Sequence, residues 1–145
     1  MRILLVEDNV NNCLLIRDYL GNFGYDVCGI SDSRAFFTMM AAFQPDLVIM
    51  DLKMPHVDGF TLLAQLREGW TATMLPVIVL SALTFRKHQE RSLRLGANRF
   101  LCKPVEPSVL LSAVQEELDQ LYFRRRNWPR MNYPIAASVG EFYRV

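Results

Sequence analysis

The chain has 145 residues, 51% of them hydrophobic, which suits one domain with a substantial core and excludes global disorder. A net charge of +1 excludes bulk electrostatic capture by nucleic acid or membrane, and no apolar run nears the roughly 18 residues of a membrane span. The opening MRILLVED is too short and too acidic for a signal peptide, and Cys13, Cys28 and Cys102 lack any metal-binding spacing, so they read as small buried hydrophobes of a cytoplasmic protein.

Five short apolar runs, at 3–6, 27–30, 47–50, 77–80 and 99–102, predict strands. The first, third and fourth are uninterrupted and rich in Val, Ile and Leu, as in strands covered on both faces. Helical spacing fills the gaps. Residues 11–23 place Leu15, Ile16, Tyr19, Leu20 and Phe23 on one face, with Gly24 as a stop. Residues 33–43 offer Ser33 as N-cap and a stripe of Phe36, Phe37, Met40 and Phe43. Helices at 60–68, at 86–95 (basic, closed by Gly96) and at 107–122 complete the series, the last starting on Pro107 and carrying Leu110, Val114, Leu118 and Leu121. Five strand–helix alternations predict an α/β fold with a parallel sheet and right-handed crossovers.

From Phe123 onward the character changes. Five Arg and one Glu give this segment +4 and leave −3 for the rest. Its aromatics, among them Trp128, Tyr133, Phe142 and Tyr143, predict packing on the domain or on a partner chain, a homodimer being one form of that. The expected organisation is a domain at 1–122 and an extension at 123–145.

Ligands of parallel sheets bind beyond the carboxyl ends of the strands. Those ends carry Glu7-Asp8 on the first strand, Asp51 on the third, Ser81-Ala82 on the fourth and Lys103-Pro104 on the fifth. Ser31-Asp32, after the second, reads as a cap for the next helix. Three carboxylates at one edge repel each other unless a cation is present. Oxygen donors without Cys or a well-placed His point to Mg²⁺, with Mn²⁺ as the alternative. Lys103 suits a phosphate or carboxylate, and Ser81 can donate to one more oxygen. Together these groups suit a phosphoryl group on or beside a carboxylate. Singly, each residue would pass for a turn or cap; the combination at four strand ends is what carries the reading.

The stretches ILLVEDN, PDLVIMDLKMPHVDG, PVIVLSA and GANRFLCKP resemble the receiver domain of two-component response regulators, of the stand-alone type. The resemblance spans about 1–122. It implies a doubly wound, flavodoxin-like sheet of order 2-1-3-4-5 with five helices. It also implies that Asp51 accepts a phosphoryl group from a sensor histidine kinase or histidine phosphotransfer protein. Asp8 resembles the direct Mg²⁺ ligand and Glu7 an acid acting mainly through water, while Lys53 matches the position that gives a backbone carbonyl. Lys103 would pair with the phosphoryl oxygens, and Ser81 and the Ala82 N–H would donate to them. Phe100 matches an aromatic switch position on the face made by helix 4, strand 5 and helix 5, which a downstream protein would read. A cis peptide before Pro104 is expected. The family would make the chain a phosphoacceptor rather than an enzyme with an external substrate.

Departures narrow this. At 97–100 the chain reads Ala-Asn-Arg-Phe, without the paired acids that join protomers in many DNA-binding relatives. Helix 4 instead carries Arg86, Lys87, Arg91 and Arg94 against Glu90, either a solvated basic face or a partner surface. A phosphorelay carrier and a phosphorylation-independent binding module stand as alternatives. A haloacid-dehalogenase phosphatase would need an acid where Lys53 stands. Nucleic-acid binding through Arg124, Arg125 and Arg126 is less simple than their fit to a helix C-terminus.

Overall fold

The computed structural model describes residues 1–127. Five strands, β1 (Arg2–Val6), β2 (Asp26–Ile30), β3 (Leu47–Met50), β4 (Val77–Ser81) and β5 (Arg99–Cys102), form one parallel sheet in the order β2-β1-β3-β4-β5. Five helices alternate with them: α1 (Val10–Gly21), α2 (Phe36–Phe43), α3 (Gly59–Gly69), α4 (Arg86–Arg94) and α5 (Pro107–Asn127).

Alternation along the strands builds two cores. Ile3, Leu5, Ile49, Ile78 and Leu80 point to the side covered by α1 and α5, where Cys13, Leu20, Leu110, Val114, Leu118 and Leu121 meet them. Leu4, Val6, Val48, Met50, Val77 and Val79 point to the other side, against Phe36 and Met40 of α2 and Phe60, Leu63 and Leu66 of α3. Each such buried aliphatic side chain contributes about 1.5–3 kcal/mol relative to exposure. A two-residue period on a sheet covered on both faces explains why β1, β3 and β4 carry no polar residue between their ends.

Local chemistry sets the helix ends. Asn9 accepts from the Asn12 N–H and caps α1, and Asp58 accepts from the Thr61 N–H and caps α3. Gly96, at φ 105°, turns the chain from α4 into β5, a conformation that a Cβ would resist.

Four local expectations are corrected. On α1, Leu15 is 69% exposed while Cys13 and Leu20 are buried, and Phe23, which lies past the helix end at Gly21, is 51% exposed; the helix is rotated so that its smaller thiol meets the sheet close to Gly29. Before α2, Ser33 begins a single 3-10 turn, Ser33–Ala35, and is not the N-cap; Asp32, read as a cap from its place after the second strand, fills that role by accepting from the Arg34 N–H. α5 continues to Asn127 instead of ending at Tyr122, because 123–127 contain no helix breaker and place Arg124, Arg125 and Arg126 in the last turn. Cys13 is buried as expected and Cys28 half-buried, but Cys102 is exposed, standing at the end of the edge strand β5. The expected packing of the C-terminal extension lies, from residue 128 on, outside the described residues.

Candidate functional site: an acidic pocket at the carboxyl edge

Register brings the site together. Val6 is paired with Met50, so Glu7 and Asp51 leave adjacent strands side by side, and the Asp51 N–H donates to the Val6 carbonyl at 3.1 Å. Ser81 is the last residue of β4 and lies opposite Cys102, which puts Lys103 next in line; the Lys103 N–H donates to the Ser81 carbonyl at 2.9 Å. The peptide between Lys103 and Pro104 is cis.

The Lys103 ammonium bridges two carboxylates. It donates to Asp51 Oδ2 at 2.9 Å and to Glu7 Oε2. Asp51 Oδ1 accepts from the Leu52 N–H at 2.7 Å and from the Lys53 N–H at 3.3 Å, so both its oxygens are held. Asp51 is 7% exposed and Glu7 2%. Ligand oxygens of Glu7, Asp8 and Asp51 all lie within 4.8 Å of one another.

Burial raises the Glu7 carboxyl above its ordinary range and the Asp51 charge adds to that, against the opposing pull of Lys103 and the Asn9 N–H. For Lys103, burial works against the ammonium, but Glu7 and Asp51 outweigh it and its pKa is raised. Lys103 therefore stays charged. One ammonium pairs with two of the three carboxylates and none pairs with Asp8, so the group retains room for further positive charge. Its donors are all oxygen, which fits Mg²⁺ or Mn²⁺ and disfavours a thiophilic ion.

The remaining predicted residues surround this pocket. Ser81 is fully buried, and its hydroxyl accepts from the Leu83 N–H at 3.2 Å. An oxygen that accepts in this way still has its own proton to donate. Ala82 and the Lys53 side chain are exposed beside the pocket. Phe100, opposite Val79 on β5, is half-buried and packs against the core cluster that holds Met50 and Val79. All the residues expected at the carboxyl edge are thus gathered there, with Phe100 behind them.

Two features were missed from the sequence. Arg99 pairs with Glu117 at 2.8 Å and with Glu116, tying β5 to α5 within one protomer. Arg67 is buried, donating from Nε to the Gly96 carbonyl at 2.9 Å and from Nη1 to the carbonyls of Trp70 and Leu75 at 3.0 and 2.8 Å. Its Nη2 reaches Asn98 Oδ1 at 3.1 Å. Desolvation lowers its pKa to about 10.

An oxygen-lined pocket of this kind, on a sheet of this order, defines the receiver class of signalling domains. Residues 3–115 match the response regulator receiver domain, and the chain belongs to that family. Among curated relatives it is 32% identical over 144 residues to response regulator PleD of Caulobacter vibrioides, covering 95% of this chain and 32% of that protein. It is 36% identical over 120 residues to the transcriptional regulatory protein HprR of Escherichia coli, covering 83% of this chain and 52% of that one. The chain thus spans a third to a half of these relatives. The BeF₃-activated N-terminal receiver domain of Klebsiella pneumoniae RstA superposes with a TM-score of 0.76 at 32% identity, covering 81% of this chain and 98% of that one.

The chain therefore carries a response regulator receiver domain. No helix among the described residues is long and apolar enough to cross a membrane.

Proposed function

We propose that Asp51 is the phosphoacceptor and that the chain works as a receiver in the cytoplasm. The donor is a phosphohistidine on a sensor kinase or phosphotransfer protein, and the phosphorylated form is read by a downstream protein. The observation that carries this is the state of Asp51: a buried carboxylate at a strand end, gripped by Lys103 on one oxygen and by two backbone N–H groups on the other.

In the reaction a carboxylate oxygen of Asp51 forms a bond to phosphorus as the bond from phosphorus to the histidine nitrogen breaks. The electron pair of that bond leaves with the imidazole. Lys103 meets the charge that gathers on the phosphoryl oxygens, and the burial of the pocket strengthens that contact. Glu7, Asp8, Asp51 and the Lys53 carbonyl would hold the metal ion, which when bound supplies charge neutralisation for the phosphoryl group. The Ser81 hydroxyl and the Ala82 N–H complete the donors around it. Movement of Ser81 towards the phosphoryl group opens space near Phe100, and turning of that ring biases the face formed by α4, β5 and α5. The chain thereby assists its own phosphorylation and dephosphorylation without an external substrate to turn over.

The test is mass spectrometry after incubation with acetyl phosphate. Wild type gains the mass of one phosphoryl group with Mg²⁺ and not with a chelator, and Asp51→Asn gains none. An unmodified wild type, or a modified Asp51→Asn, overturns the reading.

A further inference from the structure

Ser33 does not serve the helix that follows it. It is 3% exposed, and its hydroxyl points into the loop between β3 and α3. Oγ donates to the Pro55 carbonyl at 2.9 Å and accepts from the Val57 N–H at 3.1 Å. The Val57 N–H also donates to the Pro55 carbonyl at 3.0 Å, so the three groups close a triangle. Between Pro55 and Val57 stands His56 at φ 70°, a left-handed conformation that L side chains resist. A turn of this kind needs its neighbours to hold it.

The held turn belongs to the same short loop as the site. Its first residues supply the Leu52 and Lys53 N–H groups on Asp51 Oδ1. Its last residue, Asp58, caps α3, and the Gly59 N–H returns to the Leu52 carbonyl at 2.8 Å. Met54, 8% exposed, is anchored in the core. With both ends fixed, the orientation of the Lys53 peptide depends on how the 55–57 turn is set, and Ser33, in the 3-10 turn before α2, is the group that holds that turn.

We propose that Ser33 is a positioning residue for the acidic pocket: through Pro55 and Val57 it fixes the loop so that the Lys53 carbonyl and the N–H groups on Asp51 are aimed before a metal ion binds. The proposal rests on the metal-assisted reading of the site. Removal of the hydroxyl leaves the Val57–Pro55 bond in place, so neither backbone group is left without a partner. The loss therefore falls on the order of the loop and hardly on the fold.

The experiment titrates the full chain with MgCl₂ by calorimetry, for wild type, Ser33→Ala and Ser33→Thr, beside a melting curve for each. Ser33→Ala is expected to bind Mg²⁺ about tenfold more weakly, as supporting residues around metal ligands typically do when removed, with its melting point nearly unchanged. Ser33→Thr, which keeps the hydroxyl, is expected to restore the affinity. A Ser33→Ala that binds within about twofold of wild type overturns the proposal. Amide exchange on the wild type gives an arm that needs no variant to fold: Val57 should be protected and become more so with Mg²⁺, and an unprotected Val57 indifferent to Mg²⁺ overturns it as well. A wild type that binds no Mg²⁺ refutes the reading of the pocket and this inference with it. A wild type that binds while Ser33→Ala is unaffected refutes the role of Ser33 alone.

Discussion

Asp51 is constrained from behind as well as from its sides. A Cβ placed on Gly59 would lie 2.1 Å from the Asp51 carbonyl oxygen and 2.7 Å from the Leu52 Cα. Both obstacles are backbone, so a larger residue at 59 can be accommodated only by moving the strand end that carries the carboxylate. Gly59→Ala is expected to destabilise the protein by about 1–3 kcal/mol, read from the urea midpoint, and to slow modification of Asp51 by acetyl phosphate. Residues of this sort divide by how local their cause is. Asp51, Glu7 and Lys103 were legible because each ends an apolar run, a pattern confined to a few neighbouring positions. The Gly59 contact was not, since it depends on a loop folding back eight residues later. Ser33 was misread for a related reason: a serine before a helical stripe reads as a cap, but Asp32 accepts the Arg34 N–H and frees Ser33 to bond across 22 residues.

Among the elements, α4 and the turn after it are held in an unusual way. Apart from buried Ser92 and half-buried His88, its residues are exposed, so apolar packing does little to fix it. Arg67 of α3 instead grips the Gly96 carbonyl and the Asn98 side chain, and Asn98 in turn accepts from the Val77 N–H at 2.9 Å. Loss of the guanidinium strips hydrogen bonds from several half-buried oxygens at once. Arg67→Met is expected to lower stability by about 2–4 kcal/mol and to speed amide exchange at 96–98 more than in β1 or β3. The sequence could not show this, because the acceptors are mostly main-chain carbonyls and any residue has one. The same limit explains α1, where Cys13, Leu14, Leu15 and Ile16 form a continuous apolar stretch that periodicity cannot orient. The inner strands β1, β3 and β4 needed no such orientation: covered on both faces, they are apolar between their ends.

At the scale of the whole molecule, the opposite edge of the sheet is tied by an ion pair between residues 79 apart, Arg125 of α5 and Asp46, at 2.7 Å. Asp46 also accepts from the Arg2 N–H at 2.8 Å. Burial works against the Asp46 charge, but the Arg2 N–H and the Arg125 guanidinium outweigh it and lower its pKa. A carboxyl whose pKa is lower folded than unfolded stabilises the protein above its unfolded pKa of about 4, and that contribution is lost as the pH falls through the folded value. Because Arg125 is 42% exposed in its side chain, solvent weakens the pair, and Arg125→Ala should cost only about 0.5–1 kcal/mol at pH 7. Urea midpoints of variant and wild type should converge below about pH 4.

The length of α5 has a consequence for how a signal could leave the domain. The helix begins four residues after Lys103 and runs for 21 residues, roughly 32 Å, to the end of the sheet where Arg125 meets Asp46. At physiological salt the field of an exposed charge is screened over about 8 Å, about a quarter of that length. The last turn of α5 thus lies several screening lengths from the helix start beside Lys103. A change at the pocket would reach that turn as a tilt or rotation of a rod, which its apolar side chains from Leu110 to Leu121 and the ion pairs of Arg99 and Arg125 hold in place.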